Sequence, residues 1–359
     1  MTSSGKHIMK IEKIEELLDN GEFAKALKAL KGVGPGAEKG RRLFLKGEAL
    51  RGLGLFGEAL NEYAAARKAA ARDEELLLEA LLSGARCFRA LGNEKGAFDS
   101  ARKALGLSKK LGVSEEDARL EWALALRLAG RLSEAAKLLE GLYKVYGREK
   151  DLSGQAFVLW ALGGLYRLQG RYEDGIAAFD GSLKAAEKDG DEAAAGYALF
   201  GLGGILRVAG FMGRALECYA RARKFFAKTD DTFAKAYAEC GTSNVLRQLG
   251  RLDEAYAGYE RAHKLYSSLS DWADLGFVEW GMGEIRRKDG DFSSALKNYR
   301  RAAKLFKGRS EPRGEALTLL SLANLYYLMG HTARAEEQHS AAMKHIRRHG
   351  LHTHLETFT

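Results

Sequence analysis

A chain of 359 residues, 46% hydrophobic and 29% charged, is long enough for two globular domains or for one extended repeat array. Only two prolines occur, Pro35 and Pro312, in a background rich in Ala, Leu, Lys, Arg and Glu, a palette of helix formers that argues against strands. The formal net charge of +9 is unevenly placed, with 14 Lys or Arg against 8 Asp or Glu between residues 281 and 359, so a polyanion-binding field over the whole chain is not indicated.

At the N-terminus, MTSSGKHIMKIEKIEELL carries charges throughout and lacks the apolar stretch of a signal peptide, and no later apolar run approaches membrane-spanning length. Cys87, Cys218 and Cys240 are odd in number and share no metal-ligand spacing, which supports neither a disulfide framework nor a zinc site. A soluble, cytoplasmic protein is expected.

Further along, a glycine closes an apolar helical stretch at Gly21, Gly54, Gly92, Gly130, Gly170, Gly210, Gly250, Gly290 and Gly330, with spacings of 33, 38, 38 and then 40 five times. Each such glycine suits the left-handed residue that ends a helix, and so marks the turn of a helical hairpin. Five residues later stands a small side chain: Ala26, Ala59, Ala97, Ala135, Gly175, Ala215, Ala255, Ala295 or Ala335. An aromatic often follows nine after the glycine, as in Tyr63, Phe179, Tyr219, Tyr259 and Tyr299, and an alanine twelve after it, offsets that share one helix face. Asp151, Asp191, Asp231 and Asp271 recur at the helix starts, with Glu311 and then Pro312 at the next; Ser114 to Asp117 reads as a capping-box start. These boundaries predict eighteen helices in nine hairpins.

The small residues seven before each turn glycine (Gly47, Ala85, Ala123, Gly163, Gly203, Ser243, Gly283 and Ala323), with the later Ala, aromatic and Ala positions, resemble the tetratricopeptide signature. The resemblance runs from about Arg41 to His349, with Ile11 to Lys31 as a partial repeat. The 40-residue period exceeds the usual 34 and is similar to a long-repeat branch that includes cell-polarity adaptors and bacterial peptide-sensing regulators. It implies an all-α, right-handed superhelical α-solenoid of about nine helix-turn-helix repeats. We expect a partial repeat and linker over residues 1–36, the repeats over 37–349 and a tail over 350–359. A HEAT or armadillo array shares the period but not the small-residue pattern. Glu239 and Glu279 depart from that pattern, in repeats seven and eight, where an aromatic or Leu is expected.

In such arrays the first helix of each hairpin lines a concave groove. Three before each turn glycine stand Arg51, Arg89, Arg127, Arg167, Arg207, Arg247 and Arg287, and Tyr327 breaks the run. Either an anionic ligand bridges these guanidinium groups, or each complements the negative end of its own helix. In repeats five to eight, Phe157, Trp160, Tyr197, Phe200, Tyr237, Phe277 and Trp280 precede the arginines by ten or seven residues, on the same helix face. Gly164, Gly204, Asn244 and Glu284 fall between them. The resemblance places these offsets in the groove, where Asn244 and Asn324 would hold a peptide backbone; the other reading packs the aromatics between repeats.

The reading that follows is a scaffold or adaptor whose groove binds an extended peptide or protein segment bearing acidic groups, without catalysis, cofactor, metal or small-molecule substrate. The alternative is single-stranded RNA, bases on the aromatics and phosphates on the arginines, which the near-neutral body of the chain disfavours. His345 and His349, four apart, could share a metal ion, but no carboxylate or cysteine joins them at diagnostic spacing, so a polar capping helix with a tail is the plainer account. A lysine ladder, Lys68, Lys144, Lys184, Lys224, Lys264, Lys304 and Lys344, reads as solvated. GLGG at Gly201 to Gly204 lies inside a helical stretch and is no phosphate cradle, and no P-loop, HExxH or nucleophile elbow occurs.

Overall fold

A computed structural model of the chain describes residues 3–33, 39–69, 73–229, 231–269, 271–307, 311–349 and 351, with side chains from residue 11 onward. Pro35, most of the expected linker, His352, His354 and nearly all of the expected tail lie outside the described residues. Those described form eighteen α-helices and no strand. No helix among them is long and apolar enough to cross a membrane.

The chain divides into two compact units. The first comprises residues 1–162 with the segment 228–231, and the second residues 163–227 and 232–359. In the first unit α1 (Ser3–Asp19) and α2 (Phe23–Leu30) form a short hairpin. It is followed by α3 (Lys39–Gly52) with α4 (Phe56–Ala69), α5 (Glu74–Ala90) with α6 (Glu94–Leu111) and α7 (Glu116–Leu128) with α8 (Leu132–Glu149). Helix α9 (Leu152–Leu168) carries the division within its length. The second unit continues with α10 (Tyr172–Asp189), α11 (Glu192–Val208) with α12 (Met212–Phe226) and α13 (Thr232–Gln248) with α14 (Leu252–Leu269). It ends with α15 (Trp272–Lys288) packed on α16 (Phe292–Phe306) and α17 (Pro312–Leu328) on α18 (Thr332–His349).

All nine turn glycines have positive φ, between 67° and 89°. The Gly250 amide donates to the Arg247 carbonyl at 3.2 Å and the Arg251 amide to the Leu246 carbonyl at 2.9 Å. This paired closure satisfies carbonyls that the helix end would leave open. It also explains why an arginine in this phase always stands in the last turn. Asp151, Asp191 and Asp271 cap the following amides at 2.8, 2.9 and 3.1 Å. The fourth repeat differs from the expected capping box: α7 begins at Glu116, and the Ser114 hydroxyl accepts from the Glu116 amide at 3.4 Å, with Asp117 already inside the first turn.

What stacks one hairpin on the next is an aromatic ring set between glycines. A Cβ added at Gly163 would lie 2.7 Å from the Phe179 ring, and one at Gly201, in the next hairpin, 2.1 Å from the same ring. Tyr219 fills the same place between Gly203 and Gly241, and Tyr259 lies against Gly281. The helical glycines therefore give up roughly 1 kcal/mol each of helix propensity to let a buried ring approach two backbones. The small residues five after each turn are buried in the first eight hairpins, and only Ala335, in the last, is half-buried. The core is accordingly a string of local clusters, such as Ala236, Tyr259, Tyr266, Val278 and Ile285, as expected of a quasi-one-dimensional stack.

The two departing glutamates are accommodated by charge. Glu239 meets Arg223 at 3.0 Å and Arg261 at 2.9 Å, while buried Glu279 accepts from Asn298 Nδ2 at 2.7 Å and faces His263 at 3.2 Å. The seven phased lysines are all exposed. Urea denaturation separates the two uses of glycine. Gly250→Ala, at φ +77°, should cost about 1 kcal/mol. Gly281→Ala, whose new Cβ would sit 2.5 Å from Tyr259 Cζ, should cost about 1–3 kcal/mol through overpacking. A neutral effect at Gly281 would contradict the ring-between-glycines account.

Candidate functional site

The arginines three before the turn glycines differ in what stands six before the same glycine. In the first unit Glu48 occupies that place, and its carboxylate holds Arg51 Nη2 at 2.6 Å while accepting from the Tyr63 hydroxyl at 2.7 Å. Burial raises the Glu48 pKa, but Arg51, Ser83 and Tyr63 more than reverse this, so it lies below the usual carboxylate range. Near the far end of the second unit Glu284 repeats the arrangement, with Arg287 at 2.8 Å and the Tyr299 hydroxyl at 2.6 Å; Ser321 also donates to it at 2.8 Å. In both hairpins one carboxylate neutralises one guanidinium.

Arg89 meets its acid differently. Glu121, only 2% exposed on α7, lies 3.4 Å from Arg89 and 3.2 Å from Arg86. These three groups line an open groove of about 820 Å³ in the first unit together with Arg51, Tyr146, Asp151 and Phe157. Phe157 is 40% exposed, and its ring lies 5.7 Å from that of half-buried Trp160. Arg127 is half-buried on α7.

The middle of the array has neither glutamate. Gly164 and Gly204 stand where Glu48 and Glu284 stand elsewhere, and Phe179 replaces tyrosine in the hairpin of Arg167. Arg167 forms no hydrogen bond or ion pair among the described residues. Its guanidinium lies over Gly204, where an added Cβ would come within 3.1 Å of Nη1. Burial, together with the positive charges of Arg313 and Arg207, holds its pKa below the usual arginine value. Arg207, 9% exposed, reaches Gln248 Oε1 at 3.4 Å and hydrogen-bonds Tyr219. Arg247, 6% exposed, lies 5.0 Å over the Trp280 ring and donates to the Tyr259 hydroxyl, which in turn donates to Asn244 Oδ1 at 2.6 Å.

These side chains surround a partly open cavity of about 180 Å³ within the second unit. Arg167, Arg207, Arg247 and Arg313 line it with Phe200, Tyr219, Tyr237, Tyr266, Phe277 and Trp280, and Asn244, Cys240 and Asp274 complete the wall. Phe200 packs edge-on against Tyr237 at 4.9 Å, and Arg313 lies 4.9 Å over Phe277. The Cys240 thiol is pushed up to about 12, chiefly by burial, so it is a neutral wall group. Asp274 is the one carboxylate among the lining residues. Burial, and then the like charge of Asp271 beside it, raise its pKa well above the carboxylate range.

Of the residues singled out in the sequence, Phe200, Tyr237, Asn244, Phe277 and Trp280 thus meet Arg167, Arg207 and Arg247 at one cavity. Tyr197 instead packs edge-on against Phe226 at 5.2 Å. Asn324 is exposed in an open depression of the last hairpin with Tyr327, which is 68% exposed. His345 and His349 rings lie 4.5 Å apart, but His345 Nε2 is 3.0 Å from the Pro312 carbonyl and so serves the packing of α18 on α17. No group of three His, Cys, Asp or Glu placed to hold a metal occurs among the described residues. Arg313 and Asp274 escape a periodic reading because each occurs once: Ser153, Ala193, Phe233 and Ala273 occupy the first phase, and Gly154, Ala194, Ala234 and Gly314 the second.

The Asp274 environment sets a pH dependence. Its folded pKa is raised, so the folded state holds a proton that the unfolded state releases. Stability is lost as pH climbs from the ordinary carboxylate range through the folded pKa. Asp274→Asn should raise the melting temperature by a few degrees at about pH 7.5 and have no such effect at about pH 3, where the carboxyl is protonated in both states. A drop at about pH 7.5 would show that the carboxylate is stabilising there.

Residues 236–308 match the tetratricopeptide repeat family model. No curated protein matches the sequence. Among solved structures, the chain is similar to a Rap protein complexed with competence and sporulation factor, at 12% identity and TM-score 0.69, over 96% of this chain and 98% of that one. It is also similar to the apo form of the quorum sensor NprR from B. thuringiensis, at 15% identity and TM-score 0.62, over 96% and 100%. Apo RapI aligns at 11% identity and TM-score 0.54, over 88% and 99%. Residues 236–308, over α13 to α16, thus match tetratricopeptide repeats, and the helical hairpins with phased turn glycines carry the same repeat architecture through the other described residues.

Proposed function

We propose that this chain is a binding scaffold rather than an enzyme, and that its second unit holds an extended peptide or protein segment by an acidic group placed in the cavity of Arg167, Arg207, Arg247 and Arg313. The observation that carries the reading is Arg167, a half-buried guanidinium with no ion-pair partner among the described residues. A cation held partly out of water without an anion is costly, and a ligand carboxylate or phosphate is the group that relieves it. The aromatic walls supply apolar area beside the charge, and Asn244 offers an amide for a ligand backbone.

The similar folds support this class of function: the Rap protein is complexed with a factor, and NprR is a quorum sensor. Arg51, Arg89 and Arg287, each with a carboxylate of its own chain, serve the stack first and recognition second. A cytoplasmic location fits such a role.

A pull-down with mass spectrometry tests the proposal. Arg167→Gln should reduce partner capture at least tenfold with helicity and melting unchanged, whereas Arg131→Gln, at an exposed surface pair, should capture as the wild type does. Equal capture by both variants would sink the reading. Co-purifying material that is nuclease-sensitive and lost with Arg167 would assign the cavity to RNA instead.

A further inference from the structure

We infer that the open groove of the first unit is a second binding site, which takes an arginine side chain of a partner segment between Tyr146, Phe157 and the carboxylates of Asp117 and Glu149. The site is separate from the cavity of the second unit and takes the opposite charge. The basic wall of the groove is already answered within the chain: Arg51 by Glu48 at 2.6 Å, and Arg86 and Arg89 by Glu121 at 3.2 and 3.4 Å. The acidic wall is not. Glu116, Asp117, Glu149 and Asp151 line it, and none of the four forms an ion pair among the described residues. Arg119, on the same helix as Glu116 and Asp117, is held by Glu115 at 3.0 Å. The Ser114 hydroxyl donates to Glu116, and the Gly154 amide to Asp151 at 2.8 Å, bonds that leave both charges in place.

Tyr146 is the group that points to a ligand. It is only 7% exposed and lines the groove with its ring against Gly154, where an added Cβ would lie 2.7 Å from Cγ. Its hydroxyl forms no hydrogen bond among the described residues. Burial, and then Asp117, Asp151, Glu116 and Glu149, push the phenol up to about 12, so it stays neutral and keeps an oxygen able to accept. A nearly buried acceptor beside four carboxylates suits a donor that carries positive charge. The carboxylates do not converge on a point, for no three of them are placed to hold a metal ion. A guanidinium spreads five donors over a plane, so it can serve the phenol oxygen and separate carboxylates together, and its face stacks on an aromatic ring. Phe157, 40% exposed in the same groove, offers that ring.

Calorimetric titration of the full chain at about pH 7.5 tests this with capped pentapeptides of alanine that carry arginine, its neutral isostere citrulline, or lysine at the centre. We expect the arginine peptide to bind at least tenfold more tightly than the citrulline peptide. That preference should shrink in Tyr146→Phe, which keeps the ring on Gly154, and vanish when Asp117→Asn and Glu149→Gln, both at exposed positions, are combined. It should persist in Arg167→Gln, so this site and the cavity of the second unit fail separately. Equal binding of the arginine and citrulline peptides, in a chain of unchanged helicity and melting, would overturn the site. A lysine peptide that binds as tightly as the arginine peptide would overturn the guanidinium. A preference that survives the double variant, or is lost with Arg167, would overturn the location.

Discussion

A guanidinium taken out of water inside a helical stack needs an anion, and the way this chain meets or leaves that requirement organises the rest. The turn geometry places an arginine in the last turn of most first helices, its carbonyl bound by the turn glycine's amide. In the hairpins of Arg51, Arg207, Arg247 and Arg287 its side chain meets the tyrosine of the same hairpin. Where a glutamate sits one turn earlier, as at Glu48 and Glu284, the charge is consumed internally and the hairpin gains a closed network of acid, arginine and tyrosine. Where glycine sits there, the same geometry leaves charge directed into a cavity. One repeated frame thus yields structural elements at some positions and a candidate recognition element at others.

The packing that allows this is the ring between glycines. Phe179 and Tyr219 each touch two helix backbones where any Cβ would collide, so neighbouring first helices approach closely enough for Arg167 to lie over Gly204. Gly204 therefore gives the guanidinium its space and, by carrying no carboxylate, leaves its charge available. The aromatic walls, Phe200 against Tyr237 and Arg247 against Trp280, set apolar surface beside the guanidinium groups of the cavity.

Much of the architecture was legible because it recurs. Gly170, Gly210, Gly250 and Gly290 fall 40 apart, and each has the left-handed φ that its phase implied. Five of the groove aromatics and asparagines, with three of the arginines, meet at one cavity because a shared phase places them on one face of successive helices. What recurs in sequence does not recur in chemistry, however. Arg51 and Arg167 share a phase, and only the residue three before each decides whether its charge is neutralised. Arg313 and Asp274 lie in phases filled elsewhere by Ser153, Ala193, Phe233 or Gly154, so no periodic argument reaches them. Ser114 is a smaller instance: its spacing to Asp117 fits a capping box, but α7 starts at Glu116 and the register moves.

The central claim is that the Arg167 guanidinium, which meets no carboxylate among the described residues, takes a ligand anion, whereas Arg51 and Arg287 are already answered by a glutamate. A crystal structure determined in the presence of tungstate, a tetrahedral dianion whose anomalous scattering marks its position, tests it directly. The account places the anomalous peak within hydrogen-bonding reach of Arg167 and Arg207, with none at Arg51 or Arg287. A peak at Arg51 or Arg287 and none at Arg167 would contradict it.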